Sequence, residues 1–480
     1  MRRIIKVFQK IYVELAMKTC RFIKNFNELI EVSIKENAEA RRIALELLEA
    51  GLEAANPKEA VKKHVKLEGD ILNIGKYKYD LSNIGSIYVI GAGKASGKMA
   101  EALEEVLGER IKKGVVIVPR GASKNIKVMR IEVIEGDHPI PSQSCIEGAL
   151  KIREITEEAE SKDLIIALIS GGGSSLLTLP ADEVSIEDVI TVTNLLLKCG
   201  ADIKEINAVR KHISKVKGGQ LAKCAYPAKI ASLIISDVIG DPIDCIASGP
   251  TAPDPTTYID AYRVLKKYEL WNKVPQSIRK RIEKGLHGEA PETPKKSDPI
   301  FNRVVNFIIA SNLKALKAME AKAKQLNYNA IILTSQLEGE ARHVGKVFAS
   351  IIKEASTTGH PINPPAAIIA GGETTVTVTS SGIGGRNQEL ALGAALQIKG
   401  LKGIAIAAMG SDGIDGMTDA AGALVDGETI EVAEKIGIDP HAHLKNNDSY
   451  SFFKSIGGSL ILTGLTGTNV NDFTVGVVVK

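Results

Sequence analysis

The chain has 480 residues, 44% of them hydrophobic and 25% charged, with a mean hydropathy of +0.03; such a composition excludes disordered, fibrous and collagen-like chains and implies two or three soluble globular units. The 61 Lys and Arg against 57 Asp and Glu give a net charge of +4, yet residues 1–24 hold Arg2, Arg3, Lys6, Lys10, Lys18, Arg21 and Lys24 against Glu14 alone, which makes that segment +6 and the remainder −2. A mildly acidic body excludes nucleic-acid binding as the main activity, and five scattered cysteines without a CxxC pair point to a reducing cytoplasm rather than to a disulfide framework or a zinc site.

Residues 1–36 read as a basic helical extension. Lys6, Lys10, Glu14 and Lys18 interrupt its apolar residues, so it lacks the core of a signal peptide, and no window elsewhere is long enough for a membrane span. A helix is expected over residues 37–55, where Ile43, Leu45, Leu47, Leu48 and Leu52 recur near helical spacing and Asn56-Pro57 stops it. From Ile87 onward, short apolar runs alternate with longer amphipathic segments: 87–90, 115–118, 131–134, 164–169, 230–235, 305–309, 330–333, 367–370 and 404–408. Such runs predict buried parallel strands with helical crossovers, hence an α/β architecture. Residues 285–299 combine glycine, three prolines and clustered charge before a strand near Val304, so the chain is divided into a first domain over 37–298 and a second over 299–480. Residues 473–479 read as a last strand, at an edge or the centre of a sheet.

The first chemistry-bearing segment follows the strand at Ile87: Gly91-Ala92-Gly93-Lys94-Ala95-Ser96-Gly97-Lys98. A strand that ends in glycines and opens a helix aims backbone N–H groups at one point, and Gly91, Gly93 and Ser96 belong to that candidate anion site. Tyr88 and Ala95 stand where a P-loop needs Gly and Ser/Thr, and Ser96 and Pro119-Arg120 stand where a dinucleotide fingerprint needs Gly and an acid, so both motifs fail. A lysine inside such a turn suits a carboxylate or a transferring phosphoryl group. The second segment, Ser170-Gly171-Gly172-Gly173-Ser174-Ser175, lets the backbone approach a ligand at Gly172 and Gly173, with Ser174 and Ser175 as added donors or helix caps. The third, Ser236-Asp237-Val238-Ile239-Gly240-Asp241, places two acids at a strand's end, where they fit a hard cation such as Mg²⁺ or cap the loop.

Two loops in the second half match this style, Gly371-Gly372-Glu373-Thr374 and Gly384-Gly385-Arg386-Asn387-Gln388-Glu389, around a hairpin-like stretch over residues 376–379. Arg386 at a helix start could clamp a carboxylate or phosphate in two-pronged fashion, with Asn387 and Glu389 beside it. Asp412, Asp415 and Asp419 follow another strand, but their spacing does not fit a calcium loop. His138, before Pro139, reads as a loop residue.

Taken together and in this order, these segments and Gly136-Asp137-His138-Pro139 resemble the class II glycerate kinases, the glycerate 2-kinase type that carries a C-terminal MOFRL domain; the likeness runs from about residue 37 to the end. The resemblance implies two α/β domains, the first Rossmann-like with a mostly parallel sheet, and an active-site cleft between them. It implies ATP- and Mg²⁺-dependent phosphorylation of D-glycerate to 2-phosphoglycerate, with Lys94, Asp237 and Arg386 as functional residues. Asp237 and Asp241 are the expected metal ligands; Ser174, Ser175, Glu373, Asn387, Glu389 and Asp412 are added from loop position. The competing readings are an NAD(P)-dependent hydroxypyruvate reductase, a label some family members have carried, and an α/β protein that binds an anion without turning it over. No nucleic-acid or membrane partner is expected; a homodimer is compatible with the sequence.

Overall fold

The computed structural model describes residues 22–479. Most of the basic segment over residues 1–24 therefore lies outside the described residues; the rest of the expected extension holds the helix Phe26–Glu31 and the first two residues of the helix Lys35–Ala55. Two compact units are present: one is Pro57–Ser311, and the other joins the described residues up to Asn56 with those from Asn312 onward.

In Pro57–Ser311, the strands β1 (Val65–Glu68), β2 (Ile71–Ile74) and β3 (Tyr77–Asp80) form a small antiparallel sheet. Six more, β4 (Ile87–Ala92), β5 (Ile111–Pro119), β6 (Ile131–Gly136), β7 (Leu164–Ile169), β8 (Lys229–Ile235) and β9 (Val304–Ala310), form a parallel sheet in the order β6-β5-β4-β7-β8-β9. Counted from β4 this is 3-2-1-4-5-6, the doubly wound order, and its direction reverses between β4 and β7. Both central strands are buried at every position, as strands covered by helices on both faces require. Helices Ser96–Leu107 and Gln143–Glu158 pack against this sheet.

The other unit carries β10 (Asn329–Leu337), β11 (Ala366–Gly372), β12 (Ile404–Gly410), β13 (Gly422–Asp426), β14 (Leu460–Ile461) and β15 (Asp472–Val478), in the order β10-β11-β15-β12-β13-β14. Among adjacent strands only β10 and β11 form a parallel pair; β15 inserts between β11 and β12, antiparallel to both, so β12 runs in the direction of β10 and β11. The apolar runs expected as parallel strands, 330–333, 367–370 and 404–408, thus share one direction, but β12 is flanked by the antiparallel strands β15 and β13, because an unbroken apolar run reports burial on both faces and says nothing of a neighbour's direction. The hairpin-like stretch over residues 376–379 is irregular. Its amides are taken up by side chains instead of a neighbouring strand: the Thr377 N–H donates to the Glu340 carboxylate at 3.0 Å and the Thr379 N–H to Asn447 Oδ1 at 2.9 Å.

The division expected at residue 298/299 also differs. The strand β9 pairs with β8 in register Ile230↔Val304, so the chain leaves this unit after Ser311. The helix Lys35–Ala55, expected with the first domain, packs on β12, β15 and the helix Asn312–Gln325. Pairing far apart in the sequence fixes it there: buried Arg41 donates from Nε to Leu29 O at 2.5 Å and from Nη1 to Asp426 Oδ2 at 2.7 Å, and Asn37 Oδ1 accepts the Gly403 N–H at 2.8 Å. Pro57 both stops that helix and opens Pro57–His64, a first-turn position that needs no N–H. Arg41→Met would leave the buried Asp426 carboxylate without its cation, and urea unfolding should show a loss of about 3–5 kcal/mol; an unchanged midpoint would mean that the pair does not anchor the helix.

Candidate functional site

In a doubly wound sheet the ligand crevice lies at the carboxyl ends of the strands where their order reverses. Here those ends are the turns after β4 and β7, and they are tied together. Gly93 leaves β4 at φ +140°, and its N–H reaches Ile117 O at 3.1 Å. The Lys94 N–H donates to Gly171 O at 2.8 Å and the Ala95 N–H to Ser170 Oγ at 3.0 Å. The backbone donors of residues 93–95 are therefore engaged, and what the turn offers outward is the exposed Lys94 side chain. Ser96 is fully buried and its hydroxyl donates to Gly93 O at 2.7 Å, while a Cβ at Gly91 would lie 2.6 Å from Leu168 O, so both residues build the turn.

The three consecutive glycines after β7 have three separate neighbours. A Cβ at Gly171 would stand 2.2 Å from an Asp237 carboxylate oxygen, at Gly172 3.0 Å from the His138 ring, and at Gly173 2.7 Å from Ala247 Cβ. The same construction at Gly172 lies 3.4 Å from Lys94 Cγ. Lys94 from β4, His138 just beyond β6 and Asp237 from β8 thus meet at the glycine turn of β7. Burial, and then the neighbouring Lys94 ammonium, hold the His138 imidazole below its ordinary pKa, so it is neutral at pH 7 and can accept a hydrogen bond. By sequence alone His138 reads as a loop residue; the Gly-Asp-His-Pro run after a strand is the signal that marks it.

The paired hydroxyls are fasteners in this structure. Ser175 donates to Pro139 O at 2.6 Å. Ser248 donates its one hydrogen to Asn207 Oδ1 at 2.9 Å, so in the 2.8 Å contact between Ser174 and Ser248 the donor is Ser174. Asp241 lies beyond Asp237 in the same loop, in a left-handed conformation at φ +56°. Among the described residues, no three His, Cys, Asp or Glu side chains are grouped to hold a metal ion.

The other unit gathers its polar loops where β11 and β12 end and β15 begins, since Asp472 is in register with both Gly372 and Gly410. Arg386 donates from Nε and Nη2 to the two oxygens of Asp472 at 2.6 and 2.9 Å, and from Nη1 to Glu373 at 2.8 Å. A guanidinium has five N–H groups, so two remain, on a side chain still 35% exposed. Burial pushes the Asp472 carboxyl up to about 6 against the pull of Arg386, and the nearby Asp415 carboxylate adds to the rise. Asp412 faces the same spot, with an oxygen 3.3 Å from where a Gly410 Cβ would stand, against 3.5 Å for Asp472. Asn387 and Glu389 are buried parts of the scaffold. Asp415 accepts from the Asn387 and Gln388 backbone N–H groups at 3.1 and 2.8 Å and so caps the helix Arg386–Ile398, while Glu389 is held by Arg342 at 2.8 Å and Asn447 at 2.7 Å. Asp472 was missed in the sequence because its partner lies 86 residues away.

Residues 43–283 match the model of a domain of unknown function, DUF4147, and residues 366–472 match that of the MOFRL family. The glycerate 2-kinase of Pyrococcus horikoshii is 46% identical over 439 residues, 91% of this chain and 97% of that protein. The D-glycerate 2-kinase of Thermotoga maritima is 41% identical over 440 residues, 92% of this chain and 98% of that protein. A crystal structure of glycerate kinase from Thermotoga maritima is similar at a TM-score of 0.81 and 41% identity, covering 91% of this chain and 99% of that one.

Gly93→Ala should cost about 1–3 kcal/mol in urea unfolding, because its Cβ would sit 2.1 Å from the Ser170 hydroxyl that receives the Ala95 N–H. An unaltered midpoint would show that the two turns are not locked together.

Proposed function

The chain belongs to the glycerate 2-kinase family, and we propose that it transfers the γ-phosphoryl group of ATP to the 2-hydroxyl of D-glycerate. One observation carries the reading: a lysine, a histidine and a carboxylate converge on a glycine turn at the reversal point of a doubly wound sheet. Phosphoryl transfer needs positioning and charge neutralisation more than covalent help. Lys94 supplies a mobile positive charge for the phosphoryl oxygens. The glycine turn, with Gly172 and Gly173, lets those oxygens approach the backbone.

A carboxylate beside that turn suits Mg²⁺, which usually takes one or two carboxylates and completes its shell with water and phosphate oxygens. Asp237, with Asp241 in the same loop, would hold it, and the ion would neutralise charge on the nucleotide phosphates. Arg386 offers its two remaining N–H groups to an anionic oxygen, with Asp472 and Glu373 fixing its plane and Asp412 beside it. The reductase alternative is disfavoured by Ser96 and by Pro119-Arg120 at the end of β5, which replace the glycine and the acid that a dinucleotide requires. We place the protein in the cytoplasm, acting on small molecules; among the described residues no helix is long and apolar enough to cross a membrane.

Incubation with ATP, Mg²⁺ and D-glycerate, followed by phosphorus NMR, should yield 2-phosphoglycerate; intact ATP at high enzyme concentration would reject the assignment. Lys94→Met and Arg386→Ala should each lower kcat by about 100-fold or more, the size expected for one preorganised charge; near-normal turnover of a folded variant removes that residue from the mechanism. Asp472 is ionised above about pH 6 and protonated below it. Its charged grip on Arg386 is lost as pH falls, so kcat/KM should decline through about 6. In Asp472→Asn that limb should move to lower pH, from a reduced plateau; a limb that stays in place belongs to another group.

A further inference from the structure

Five basic side chains among the described residues are buried: Arg41, Arg210, Lys211, His212 and Lys217. Three have acidic partners. Arg41 pairs with Asp426 at 2.7 Å, Lys211 with Asp244 and Asp254 at 3.1 and 3.2 Å, and His212 with Glu292 at 3.1 Å. Arg210 and Lys217 have none. Arg210 Nη2 donates to Ser174 O at 2.8 Å, and Lys217 Nζ donates to Ser174 O and Leu177 O, each at 2.7 Å. Arg210 Nε is buried without a hydrogen-bond partner.

A buried cation needs a counter-charge, and capping two carbonyl groups does not supply one. Both cations close on the carbonyl of Ser174, in the turn whose Gly172 faces His138 and Lys94. Burial pulls the Lys217 ammonium well below its usual pKa, and the Arg210 charge pulls the same way. Without an anion nearby, the charged form is disfavoured; an anion on the turn would restore it.

We propose that Arg210 and Lys217 are positioning residues that form a cationic floor beneath the Gly171–Ser175 turn and draw one anionic oxygen of a substrate onto it. The chemistry is that of a carboxylate or phosphoryl oxygen, carried by glycerate or by the nucleotide. The inference rests on the reading of this turn as the substrate site. Its floor acts through the turn, by fixing the Ser174 carbonyl and by holding positive potential in a low-dielectric layer.

The test uses the full chain with Lys217→Met, Arg210→Met and the charge-keeping Arg210→Lys. Thermal midpoints without substrate, and KM and kcat for D-glycerate and ATP, are measured for each. The two Met variants should raise KM for one of the substrates at least tenfold, with a smaller change in kcat and little change in the midpoint, and Arg210→Lys should recover most of that loss. A rise confined to D-glycerate assigns the carboxylate, and one confined to ATP assigns the phosphate. Met variants that melt lower but keep both KM values within twofold of the parent overturn the proposal and leave a carbonyl-capping role. If one Met variant does not fold, the other and Arg210→Lys decide. If the parent chain does not phosphorylate D-glycerate, the substrate reading falls on its own. Inorganic phosphate then serves as the probe: a midpoint rise seen in the parent and lost in the Met variants supports the floor, and an equal or absent rise in all of them refutes it.

Discussion

The register between β4 and β7 is the constraint on which the unit of Pro57–Ser311 depends. Ala92 lies opposite Ile169, so the two strands leave the sheet in step and their turns can bond directly, Lys94 N–H to Gly171 O and Ala95 N–H to Ser170 Oγ. Parallel neighbours with reversed outward order leave a crevice at this point. Bonding the turns to each other settles its floor and leaves the side chains to supply its charge. Glycine is then required on the β7 side for reasons of space: Asp237, His138 and Ala247 each occupy the volume that a Cβ at Gly171, Gly172 or Gly173 would need.

Much of this was legible in the sequence. Nine apolar runs became strands, and the glycine-bounded loops after them became the polar ends of two sheets, because burial and chain reversal leave local signatures in residue type. What the sequence withheld depends on contacts made at long range. The helix Lys35–Ala55 is amphipathic in either unit; that it belongs with β12 and β15 rests on Asp426 and Gly403, more than 360 residues away. The direction of β15 was hidden for the same reason. The role of the serines was also hidden, since one hydroxyl hydrogen serves either a ligand or the fold, and Ser174 and Ser175 donate theirs to Ser248 and Pro139.

The charges of the molecule fall into two groups. Arg41 and Lys211 are neutralised within the fold and hold elements together, and His212 bonds to Glu292. Lys94 stands exposed on its turn, while Arg210 and Lys217 lie beneath the next one without an acid. An interior of low dielectric makes such unbalanced cations costly in isolation. The same property makes the turn above them a favourable place for negative charge.

Arg386 shows why a guanidinium suits the other unit. A lysine in its place could not meet Asp472 along one edge and Glu373 at another nitrogen while keeping donors in reserve, because an ammonium has three hydrogens and no fixed plane. The buried Asp472 carboxylate is tolerated only with a cation against it. Its position between the ends of β11 and β12 therefore fixes where the guanidinium must lie. The insertion of β15 into the middle of its sheet thus has a chemical consequence: it carries an anion to the polar end of the sheet, and that anion sets the plane of the Arg386 guanidinium.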